Sequence, residues 1–179
     1  EQNPAAKADQ GKARSETSYP YFGLSRSIEI IQAVRRAGGN EAPNVDVMRE
    51  MGVAKVADRS WAYGIPAAIH FGLIERVARG DEGKIKITDL GMRIALPGTS
   101  EEGRLARVAA FKKPDLYSKL LEKFMGHPVP TKEGLKNILY RDHKIVESMA
   151  PIAADAFLDS LKVAGLISGN NAIFGVLAM

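Results

Sequence analysis

The sequence predicts a mainly α chain with small β-hairpins, laid out as two units of one design in tandem. Three observations carry that expectation. Apolar residues recur at helical spacing through three successive segments, and the period then falls to two where Ile85 and Ile87 alternate with Lys84, Lys86 and Thr88. The same progression runs again after Pro114. Gly72-Leu73-Ile74 also returns as Gly165-Leu166-Ile167, an offset of 93 at which Ile65 aligns with Leu158, Ala68 with Leu161, Ile28 with Leu121 and Ile31 with Phe124. In each copy the Gly ends a helix and the apolar pair starts a strand.

Residues 1–18 are rich in Ala, Lys, Gln and Ser, lack apolar periodicity and read as a disordered tail. Order is expected from Tyr19-Pro20-Tyr21-Phe22, an aromatic strap over the first helix. That helix carries Leu24, Ile28, Ile31 and Val34 on one stripe, with Ser25 as N-cap and Gly38-Gly39 as its stop. A second, short helix places Val45, Met48 and Met51 on one face and ends at Gly52. Asp58 or Ser60 caps a third, which carries Trp61, Ile65, Ala68, Ile69 and Phe71; Pro66 within it predicts a kink or a late start. Residues 73–77 read as a strand, 80–83 as a turn and 84–88 as a second strand. A helix-turn-helix followed by a hairpin wing is the order of a winged-helix unit, here spanning 19–98. Its exit has the form common behind winged-helix hairpins: Thr88 caps the next helix, Gly91 lets that helix pack closely, and Pro97-Gly98 ends the unit.

Residues 99–113 supply a connecting helix with Leu105, Val108 and Ala109 inward, closed by Lys112-Lys113-Pro114. The second winged-helix unit, 114–179, begins with Leu116, Leu120 and Phe124 on one stripe, reinforced by Tyr117 and Leu121. A loop at 126–130 leads to a helix capped by Thr131, with Leu135, Ile138 and Leu139 inward. Pro151 suits the first turn of a further helix carrying Ile152, Phe157, Leu158 and Leu161. Gly169-Asn170-Asn171 then turns between strands at 166–168 and 172–174.

Three stretches, Tyr19-Pro20-Tyr21-Phe22, Pro114 through Phe124 and Phe157 through Ile167, resemble a group of prokaryotic tandem winged-helix proteins, and the resemblance extends over 19–173. It implies a fold. It implies no activity, because one fold serves many functions.

The composition, 45% apolar and 26% charged over 179 residues, fits one or two globular domains. The absence of cysteine excludes disulfides, thiolate catalysis and Cys-based metal sites, and fits a cytoplasmic location. No apolar run is long enough to span a bilayer, and 1–18 lacks the apolar core of a secretory signal. His70, His127 and His143 show no metal-ligand spacing, and neither a Gly-x-Ser-x-Gly turn nor a phosphate-cradling glycine loop occurs. Asp81-Glu82 sits in a turn and Glu101-Glu102 at a helix N-terminus, where the helix dipole favours acids. A non-enzymatic protein with no cofactor and no metal is expected.

The net charge of +4 is unevenly spread. Residues 1–54 and 55–102 are each neutral, 103–144 carry ten positive and four negative charges, and 145–179 one positive and three negative. A helix-turn-helix sets its recognition helix in the major groove while the wing meets backbone or minor groove. Double-stranded DNA is therefore the expected partner, and transcription regulation or a nucleoid or mobile-element role the expected setting. Lys55, Arg59, Ser60 and Tyr63 stand at the start of the third helix, and Arg79, Lys84 and Lys86 around the wing. Lys112 and Lys113, with the basic residues that follow to Lys136, suit a clamp on the backbone. Trp61 reads as core rather than as a base-stacking group. Asp81 and Glu82 in the wing turn oppose phosphate, and the second hairpin, 168–176, is uncharged. The alternative is a protein-interaction or dimerisation scaffold, with the apolar segment 172–179 meeting a second copy or another protein.

Overall fold

The computed structural model describes residues 14–77, 83–167 and 172–173. Among them the chain is mainly helical with one small three-stranded antiparallel sheet. Helix α1 (Leu24–Gly38) buries Leu24, Ile30, Ile31, Ala33 and Val34, leaves Ile28 at the edge, and stops at Gly39, whose φ of 82° excludes ordinary side chains. Ser25 is not its cap. Gly23 holds that position, and Ser25 donates instead to a residue from the far end of the chain, as described below. Strand β1 (Glu41–Pro43) is not among the expected elements; three residues are too few to display an alternation. Helix α2 (Asn44–Glu50) buries Val47 and Met48 and leaves Val45 exposed, so its inward face is rotated from the expected one.

The third helix is broken in two. Asp58 accepts from the Ser60 N–H and caps α3 (Arg59–Ala62); α4 (Gly64–His70) then restarts, with Pro66 in its first turn, where a missing N–H costs nothing. Trp61, Ile65, Ala68 and Phe71 are buried and Ile69 faces outward. Strands β2 (Ile74–Arg76) and β3 (Lys84–Ile87) complete a sheet of order β1-β3-β2. Ile85 and Ile87 face the core and Lys84 and Lys86 face outward, as the alternation predicts. The expected turn at 80–83 lies outside the described residues except for Gly83.

Thr88 caps α5 (Asp89–Ala95): its hydroxyl accepts from the Gly91 N–H and donates to the Gly72 carbonyl. A Cβ on Gly91 would run into the Leu73 carbonyl oxygen and Ile87 Cγ2. Because the nearer obstacle is backbone, Gly91→Ala should cost about 1–3 kcal/mol, the range for overpacking. Thr88→Ala should cost about 1 kcal/mol through removal of the cap. Urea denaturation of the two variants measures both.

In α6 (Ser100–Phe111) the inward residues are Gly103, Ala106, Val108, Ala110 and Phe111; Val108 is inward as expected, while Leu105 and Ala109 face solvent instead. Gly103 packs against Pro97, so a small-residue face is turned inward and the larger Leu105 is left outside. Helix α7 (Asp115–Phe124) buries Leu116, Tyr117, Leu120, Leu121 and Phe124, the expected set. Thr131 caps α8 (Lys132–His143), which buries Leu135 and Leu139, and Pro151 stands in the first turn of α9 (Ala150–Val163).

Local geometry also repeats. At the end of α4 the Gly72 N–H bonds to the Ile69 carbonyl and the Leu73 N–H to Ala68; at the end of α9, Gly165 bonds to Lys162 and Leu166 to Leu161, the same pairs 93 positions on. Gly72 and Gly165 share φ values of 70° and 69°. Both ends are Schellman caps. In the second half, isolated bridges pair Met125 with Ile173 in parallel, and Pro128 with Ala172 and Ile167 with Ile173 antiparallel. The expected turn at 169–171 and segment 174–179 lie outside the described residues.

The two halves share one continuous apolar core. Phe71, Phe111, Tyr117 and Phe157 form its centre, with ring centroids 5.2–5.7 Å apart. Helix α9 also caps α1: Asp159 accepts from both the N–H and the hydroxyl of Ser25, at 3.0 and 2.8 Å, and Ser160 Oγ accepts from the Leu24 N–H at 2.9 Å. Hydrogen bonding of the N-terminal segment begins ahead of Tyr19. The Glu16 N–H donates to Lys144, the Thr17 hydroxyl to the His143 carbonyl, and the Val146 N–H to Ser15 Oγ.

Candidate nucleic-acid interface

The segment from Lys55 to Tyr63 presents its expected residues together. The Lys55 carbonyl accepts from the Asp58 N–H, closing the turn that precedes α3, and leaves the ammonium exposed. Arg59, the first residue of α3, is exposed with its guanidinium 5.7 Å from the centre of the Tyr63 ring. Lys55 and Arg59 have no carboxylate partner among the described residues. The Ser60 N–H is engaged by Asp58, and its side chain is half-buried. Tyr63 meets Tyr21 edge-on at 4.9 Å, and Tyr21 meets Tyr19 at 5.1 Å, so a ladder of three tyrosines ties the strap to this helix. The aromatic composition of the strap is visible in the sequence; its contact with Tyr63 is not.

The other expected residues stand apart. Lys84 pairs with Glu41 at 3.3 Å and Lys86 with Glu75 at 3.9 Å, and Lys86 lies opposite Glu41 on one side and Glu75 on the other. Cross-strand acids thus screen these two lysines. Arg79 lies outside the described residues. Lys112 and Lys113 are exposed at the end of α6, with the Lys113 stem lying against Gly72, beyond the end of α4 opposite to Arg59. Most of the basic stretch is locally engaged: Arg104 with Glu101, Lys123 with Asp142, Lys132 with Asp155 and Lys136 with Glu133, while Arg107 donates to the Val163 carbonyl. Arg141 and Lys123 together hold the Asp142 carboxyl well below the usual range. Arg59 also rims a groove shared with Asp155 and Asp159 of α9, two acids that flank its approach on that side.

Behind Tyr63 a cleft of about 580 Å³ opens between the strap, α4 and residues 146–149. Tyr19, Tyr21, Tyr63, Pro66 and Met149 form apolar walls, and Ser15, Ser18, His70 and Ser148 contribute polar atoms. Burial pushes the Tyr19 hydroxyl up to about 12 and lowers His70 from its ordinary value of 6.5. His70 Nε2 lies 3.4 Å from Ser18 Oγ. The shift at His70 has a definite sign in stability. The unfolded chain takes up a proton near 6.5 that the folded chain resists, so the contribution is full above that pH and falls as pH drops toward the depressed folded value. Denaturation at pH 7.5 and at pH about 5.5 should therefore show a smaller acid loss in His70→Gln than in the parent. His143, lowered by burial and by Lys123, retains its own share in both.

Among the described residues there is no cluster of three His, Cys, Asp or Glu able to hold a metal ion, and no helix is long and apolar enough to cross a membrane. Comparison of the chain with family models, curated proteins and solved structures returns no match.

Proposed function

We propose that the chain is a pair of winged-helix units in tandem that binds double-stranded DNA as a non-enzymatic regulatory or architectural factor, with the first unit making the contact. The order α1-β1-α2-α3/α4-β2-β3 and the sheet order β1-β3-β2 support the first unit. The repeated Schellman caps and the antiparallel bridge Ile167↔Ile173 that follows the second of them support the second. The observation that carries DNA binding is the pair of exposed cations, Lys55 and Arg59, without a carboxylate partner among the described residues, on the turn and first residue of the helix that follows α2. There they meet phosphates, and Arg59 has the fork geometry to take a guanine edge.

The second unit serves as a brace. Its counterpart of the recognition helix, α9, carries Asp155 and Asp159 and commits Asp159 and Ser160 to capping α1. A second reading, a protein-interaction scaffold, is favoured by the exposed apolar side chains Val45, Val56 and Ile69 on the same helix-turn-helix. Fluorescence anisotropy of a labelled duplex across a salt series separates the two. DNA binding predicts affinity that falls steeply with salt. A scaffold predicts no duplex binding and self-association insensitive to salt.

A further inference from the structure

The cleft behind Tyr63 has the size and lining of a small-molecule site: its volume of about 580 Å³ lies within the range of about 300–1,000 Å³ typical of ligand pockets. Its walls are tyrosine rings, Pro66 and Met149, which suit a flat aromatic face. Its polar groups are of mixed character and uncharged. Burial keeps the His70 imidazole neutral near pH 7, offering a donor on one nitrogen and an acceptor on the other, and Ser18 and Ser148 each offer both roles. The Tyr19 hydroxyl is enclosed beside Ser15 and Tyr21 without a well-formed hydrogen bond and lies behind the cleft wall. Arg14 and Glu16, the charged residues of the rim, carry opposite charges, so the cleft favours neither sign.

We propose that this cleft binds an uncharged planar heteroaromatic ring with several donors and acceptors on its edge, the chemistry of a nucleobase. Tyr21 and Tyr63 supply the stacking or edge-on aromatic contacts, and His70 with Ser18 reads the ring's polar edge. Such a ring can come from a free nucleoside or from an unpaired base of a nucleic-acid strand. The site stands independently of duplex binding, although Tyr63 is common to both and its ring supports Arg59.

The test is calorimetric titration of the full chain with adenosine and, separately, with a short single-stranded oligodeoxyadenylate. Ser148→Phe fills the cleft from an exposed position and leaves the core untouched; His70→Leu removes the polar edge at similar bulk. Saturable binding of adenosine, weakened about tenfold or more by each variant and unchanged in Lys55→Ala, supports the site with a free nucleoside as occupant. Binding of the oligonucleotide alone, weakened to the same degree by both variants, supports it with a strand base as occupant. Absence of saturable binding by either probe overturns it, as does binding that both variants leave unchanged. Because Lys55→Ala is read against duplex DNA in a separate titration, failure of the cleft and failure of duplex binding remain distinguishable.

Discussion

Phe157→Ala is expected to lower the stability of the whole chain by about 3–5 kcal/mol, the usual cost of removing a fully buried aromatic ring. Phe157 is 0% exposed and its ring meets Phe111 at 5.7 Å and Tyr117 at 5.2 Å; Tyr117 in turn meets Phe71 at 5.6 Å. The cavity would open at the centre of a core to which both halves contribute. Trp61, the single tryptophan, lies buried in the first half and reports on it alone, whereas far-ultraviolet dichroism reports on all helices. Urea unfolding followed by both signals should give coincident transitions in the parent and in Phe157→Ala, displaced together to lower denaturant. A Trp61 transition left in place while the dichroism shifts would mean that the halves unfold separately.

The double variant Lys55→Ala, Arg59→Ala is expected to weaken duplex binding by about tenfold or more near 0.1 M salt. It should also flatten the salt dependence by about two units of log–log slope, because in the proposed complex each of the two side chains would neutralise one phosphate. Both side chains are exposed and neither bonds a carboxylate among the described residues, so folding should be unaffected. Lys84→Ala, Lys86→Ala is the informative comparison. Their ammonium groups already face Glu41 and Glu75, so their removal should change affinity far less. Anisotropy titrations of the same duplex in three salt concentrations measure all of these. An equal weakening in both double variants would place Lys84 and Lys86 in the proposed contact as well.

What is legible in the sequence is mostly local. Thr88, Thr131, Pro151 and the Gly72 and Gly165 stops act within a few residues of themselves, and each performs the predicted role. The repeat is legible because its Schellman caps demand Gly at a fixed place. Long-range partners are not. Ser25 looks like a cap because nothing near it indicates that Asp159, 134 positions away, takes its hydrogen bonds. The wing lysines look free because Glu41 and Glu75 join them only across strands. Ala106 and Ala110 give no hydrophobic signal to rival Leu105, yet close packing at Gly103 and Pro97 selects the small face of α6. In the candidate interface Lys55, Arg59 and Tyr63 lie on one segment as expected, while the tyrosine ladder and the cleft depend on the strap folding back over α4, which composition alone does not encode.

Backbone amide mapping by nuclear magnetic resonance, with a short duplex titrated into the labelled chain, tests the proposed duplex binding and its surface without recourse to variants. Duplex binding through the first unit predicts shifts concentrated at Lys55 through Tyr63, with α8 and α9 left in place. Shifts confined to the second half, or none at duplex saturation, would refute that assignment.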